Sequence, residues 1–106
     1  MAKYLVTASY TAEGAKGVLK DGGSKRKSVA DAAIKAVGGK MEAFYFAFGS
    51  EDAYILVDAP DHASVVAVSL AINATGAVQT KTTVLLTPEE VDQATKKSVS
   101  YKPPGT

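Results

Sequence analysis

The segment from Met41 to Asp58 constrains the fold of this chain more than any other. Met-Glu-Ala-Phe-Tyr-Phe-Ala-Phe (41–48) leads into the polar cluster Gly49-Ser50-Glu51-Asp52, and Ala-Tyr-Ile-Leu-Val-Asp (53–58) follows at once. Two aromatic and β-branched runs joined by so short a polar connection predict a β-hairpin. Strand alternation sends Phe44, Phe46 and Phe48 one way and Ala43, Tyr45 and Ala47 the other. In the second run Ala53, Ile55 and Val57 oppose Asp52, Tyr54, Leu56 and Asp58. An antiparallel sheet with one solvated face alternates apolar and polar residues, and this hairpin does not. It needs cover on both sides.

The flanking sequence supplies one cover. Residues 3–10 read as a first strand. Thr11 is a helix N-cap with Glu13 in the first turn, and the helical pattern from Thr11 to Lys20 breaks at Asp21-Gly22-Gly23-Ser24. Two adjacent glycines inside a helix cost about 2 kcal/mol relative to alanine, which favours a break there. A stronger helix runs from Ser24 or Lys25 to Val37, its stripe made by Val29, Ala30, Ala33, Ile34 and Val37. Gly38-Gly39 ends it by a left-handed turn. After the hairpin, Ala59-Pro60-Asp61 stops the strand and Asp61 caps a helix from His62 to about Ala74. That helix carries Val65, Val66, Val68, Leu70 and Ile72 around most of its circumference, which predicts that it is largely buried. Gly76 closes it, residues 78–86 form the fourth strand, and Thr87-Pro88-Glu89-Glu90 is a capping box opening a last helix to about Lys97. The tail from about residue 98 to 106, ending Tyr-Lys-Pro-Pro-Gly-Thr, cannot continue a helix.

The predicted order is β-α-β-β-α-β plus a helix. This is the split β-α-β, ferredoxin-like arrangement: an α+β class fold with a four-stranded antiparallel sheet. At 106 residues the chain suits a single domain, 1–106. Both main helices would cover one sheet face. The other face, with Tyr45, Tyr54 and Leu56, would be left semi-apolar, a pattern that marks an interface or a ligand cleft. The expectation is a homodimer or higher homo-oligomer in which two sheets pair as a dimeric α/β barrel.

Composition narrows the function classes. There is no cysteine, so disulfides, thiolate nucleophiles and cysteine-ligated metals are excluded. Lys plus Arg number 12 against 11 acids, which argues against phosphate-backbone recognition and hence against a nucleic-acid partner. No run is long enough for a membrane helix and the N-terminus enters a strand directly, so the expected setting is the cytoplasm, away from the membrane.

Gly38-Gly39-Lys40 to Tyr45, Gly49-Ser50-Glu51-Asp52, Val57-Asp58-Ala59-Pro60-Asp61 and Gly76 to Thr82 together resemble the GYD domain family. These are small, mostly bacterial proteins grouped with the ferredoxin-like, dimeric α/β-barrel folds. The resemblance spans nearly the whole chain, and it implies this fold without implying an activity. Where members carry glycine, a variable residue, tyrosine and aspartate, this chain has Gly49, Ser50, Glu51 and Asp52. The family's glutamate before Ala-Pro-Asp is Asp58 here.

Few residues suggest chemistry. His62, the only histidine, reads as a first-turn surface residue, and one histidine without cysteine is no basis for a metal site. Asp52 reads as a cap of the hairpin turn. Lys25-Arg26-Lys27 after Gly22-Gly23-Ser24 is either a solvated basic loop or an anion cradle, and Arg26 matches a Lys-Arg pair in the family pattern. Its guanidinium suits bidentate contact with a carboxylate or phosphate. Tyr45, Tyr54, Asp58, Thr80 and Thr82 are expected to converge on the partner-facing side, either as interface polarity or as the polar groups of a small-molecule cleft. Two readings follow. One is an oligomeric binding or structural module with a cleft for a small organic ligand and no cofactor. The other is a cofactor-independent enzyme, monooxygenase- or isomerase-like, acting on an aromatic or carbonyl compound with Tyr54 or Asp58 as acid or base. Fold analogy alone carries the second.

Overall fold

In the computed structural model, which describes all residues 1–106, the chain alternates strands and helices as β1 (Ala2–Tyr10), α1 (Ala12–Asp21), α2 (Gly23–Ala36), β2 (Lys40–Phe46), β3 (Ala53–Ala59), α3 (His62–Asn73), β4 (Val78–Leu85) and α4 (Pro88–Thr95). The four strands form one antiparallel sheet in the order β2-β3-β1-β4. This is an α+β, ferredoxin-like fold, as the element order predicts. No helix is long and apolar enough to cross a membrane.

Local chemistry sets the boundaries. Gly22, at φ 82°, separates α1 from α2 with no other residue between them. Thr11 accepts from the Gly14 N–H and donates to the Gly76 carbonyl at 2.9 Å, tying the start of α1 to the turn before β4. Gly14 is buried against that turn, where a Cβ would fall 2.0 Å from the Ala77 carbonyl oxygen. Asp61 Oδ1 accepts from the Ser64 N–H and hydroxyl at 2.8 and 2.7 Å, and Thr87 and Glu90 form the capping box of α4.

The core lies between the sheet and the pair α2–α3. Tyr4 and Ala8 of β1, Ala53, Ile55, Val57 and Ala59 of β3, and Val78 of β4 are buried there with Ile34 and Val65 from the helices. Tyr4 is only 1 % exposed, and its hydroxyl lies 2.6 Å from His62 Nδ1. A bulge at Glu42 adjusts β2: Met41 stands opposite Val57, Ala43 opposite Leu56 and Phe44 opposite Ile55. The extra residue lets Met41 and Phe44, an odd number apart, both pack on the core.

Three expectations are corrected. The helix α3 is not largely buried: only Val65 is, while Val66 and Leu70 are 52 % and 66 % exposed. One side of it meets the sheet, and nothing in the chain covers the other. The strand β2 ends at Phe46 rather than Phe48, because Ala47 bonds to Asp52 in the connection and Phe48 projects fully into solvent. Asp52 does not cap the hairpin turn; its carboxylate accepts from the Tyr10 N–H at 2.8 Å and fastens the connection to the end of β1.

Candidate functional site

Register decides which side chains share a face. Tyr4, Val6, Ala8 and Tyr10 of β1 stand opposite Val84, Thr82, Thr80 and Val78 of β4. Since Tyr4 and Ala8 are in the core, Thr80 and Thr82 turn toward the helices. Tyr45 and Tyr54 stand opposite each other, with Thr7 opposite Tyr54 and Leu5 opposite Leu56, on the other side of the sheet. The five residues expected to converge are therefore divided. Tyr45, Tyr54 and Asp58 share the open face, and Thr80 and Thr82 do not belong to it. The sequence held the signal: Thr80 and Thr82 have the parity of Val78 and Val84, whereas Gln79 and Lys81 have the other.

The open face has an apolar centre and charged ends. Leu5, Thr7, Tyr45, Tyr54, Leu56 and Thr83 occupy its middle, with Tyr45 71 % and Tyr54 37 % exposed. At one end Lys3 pairs with Glu42 and lies 3.0 Å from Asp58. Hydrogen bonds to Glu42 and then Asp58 push the Lys3 ammonium above its ordinary range. At the other end Glu51 accepts from the Ser9 hydroxyl at 2.7 Å and pairs with Lys81 at 3.3 Å. The Ser9 bond, then Lys81, holds Glu51 below the usual carboxylate range. Asp58 is committed to an ion pair, and His62 lies on the helix side with Tyr4, so Tyr54 and Asp58 have no orienting base beside them.

Behind the sheet lies a feature that sequence reasoning missed. A cavity of about 110 Å³ sits between the helix-side face of the sheet and the helices α2 and α3, and 17 of the 20 residues around it are apolar. It exists because small side chains face one another: Ala8 and Ala53 in the sheet, Ala30 and Ala33 on α2. Its polar lining is Arg26, Ser69 and Thr80. Asn73 donates to the Ser69 backbone carbonyl and the Thr80 hydroxyl and accepts from the Thr80 N–H. Arg26 is 3.7 Å from Asp21. Burial raises the nearby Tyr10 phenol and Asp52 adds to this, while Arg26 pulls it back. No group of three or more His, Cys, Asp or Glu side chains is placed to hold a metal ion.

Sheet order, helix placement and the two-sided sheet define a ferredoxin-like α+β domain with one open face. The chain belongs to the GYD domain family, whose model matches residues 4–95. No curated protein and no solved structure matches it.

Proposed function

We propose that this protein is a self-associating binding module, working as a homo-oligomer in which the open sheet face of one copy meets that of another. Unburied surface carries the reading. The chain exposes 7394 Å², whereas a compact monomer of this mass exposes about 5,600 Å². The surplus, of order 1,800 Å², is shared between the open face and the exposed segment from Leu86 to Thr106, and a standard interface takes up roughly 800 Å² per partner. The face also has the composition of an interface: aromatic and aliphatic residues at the centre, with Lys3, Glu42, Asp58, Glu51 and Lys81 at the rim. Two such faces need not close completely. Tyr45, Tyr54 and Leu56 would wall the remaining space and Asp58 would border it, a cleft suited to a small organic ligand.

Light scattering on a size-exclusion column tests the association. A mass of two or more copies of the 10.9 kDa chain is expected at micromolar concentration. Leu56→Asp, which places a charge in the middle of the face, should yield a folded monomer by circular dichroism. A stable monomer of the unaltered chain would overturn the reading.

A further inference from the structure

The apolar cavity lies on the other side of the sheet from the face proposed to meet a second copy, so it is an independent site. Its walls are mostly hydrocarbon, and an apolar space of this order admits a guest about the size of benzene. Its lining includes one charged group, Arg26, whose side chain is 31 % exposed. The guanidinium carries five donors in a planar fork. Its only ion pair, with Asp21, is 3.7 Å long, beyond ordinary hydrogen-bond length. The fork also lies beside the Tyr10 phenol, and its five donors leave room for a carboxylate on a short hydrocarbon held in the apolar cavity. Asn73 donates to the Thr80 hydroxyl, and Arg26 is the only charged donor in the lining.

We propose that this cavity is a binding site for a small apolar monocarboxylate, with the hydrocarbon part among Ala8, Ala33, Ala53 and Ile55 and the carboxylate against Arg26. The hydrocarbon supplies burial and the guanidinium supplies selection. An anion without a hydrocarbon part gains nothing from the cavity, and a neutral guest gains nothing from Arg26.

Benzoate, hexanoate, benzyl alcohol and acetate are suitable probes, titrated into the full chain and followed by amide chemical shifts and calorimetry. Benzoate or hexanoate should shift the amides of Ala8, Ala33 and Ala53 and bind at least about tenfold more tightly than benzyl alcohol, with acetate silent. Arg26→Gln should bring benzoate down to the affinity of benzyl alcohol while leaving the alcohol unchanged. Ala33→Leu, which fills the space, should abolish both; if that variant does not fold, Ala30→Val gives the same readout with a smaller intrusion. Equal affinity for acid and alcohol, or an Arg26→Gln variant that still prefers the acid, would overturn the assignment to carboxylates. Absence of shifts at the cavity amides with every probe would overturn the site itself. Repeating the titration with Leu56→Asp separates the two proposals, since cavity binding should survive loss of the oligomer.

Discussion

At the scale of single residues, two glycines in one helix carry opposite meanings. Gly14 and Gly17 both lie in α1 and look alike in sequence, yet a Cβ on Gly14 would collide with the Ala77 carbonyl oxygen and one on Gly17 would meet nothing within 4 Å. Gly14→Ala must push apart the turn between α3 and β4, and should destabilise the domain by about 1–3 kcal/mol. Gly17→Ala adds helix propensity in open space and should stabilise it by up to about 1 kcal/mol. Urea denaturation of the two variants checks both signs. The Tyr4–His62 pair illustrates the same dependence on place: a histidine that reads as a plain first-turn residue sits against the hydroxyl of the most deeply buried tyrosine.

At the scale of elements, the charged ends of the sheet act as fasteners between strands. Glu51, just before β3, bonds to Ser9 of β1 and Lys81 of β4. Its folded-state pKa lies below the ordinary value, so the unfolded chain takes up a proton more readily than the folded one. The stabilisation is therefore complete at neutral pH and is lost as pH falls below about 4.5 and through the folded pKa. Asp61 is lowered too, by the Ser64 hydroxyl and N–H at the start of α3, and adds to acid sensitivity in the same window. Glu51→Gln should flatten the fall in urea midpoint between pH 6 and 3.5 relative to the parent chain. An unchanged slope would show that the fastener does not act on stability.

At the scale of the whole molecule, the chain is more extended than its length requires. Its radius of gyration is 17.1 Å, against about 13 Å for a compact domain of this size. Every residue from Leu86 to Thr106 is exposed, Val91, Val99 and Tyr101 among them. This segment adds little to the fold of the single chain. In the Leu56→Asp background, a chain ending at Leu86 should therefore melt within about 2 °C of the longer one, a shift well below what 1 kcal/mol produces. A fall of more than about 5 °C would show that the segment supports the fold directly.

Much of this architecture was legible in the sequence, because the deciding forces are local. Thr11, Asp61 and Thr87 satisfy nearby N–H groups, Gly22, Gly38 and Gly76 adopt positive φ where the helices break or end, and the alternation in 41–58 reveals a sheet without a fully polar side. Alternation tells which residues of a strand share a face. It does not tell which face, since that depends on a register set by a partner strand far away in sequence. Pairing with β1 sends Thr80 and Thr82 to the helices, while Tyr45 and Tyr54 remain on the open side. The cavity is equally nonlocal. Ala8, Ala30, Ala33 and Ala53 are unremarkable apart, and only packing α2 over the sheet gathers their missing volume into one space with Arg26 in its lining. The sequence by itself determined that the sheet would be apolar on both sides; tertiary structure decided what each side holds, because register and packing are long-range.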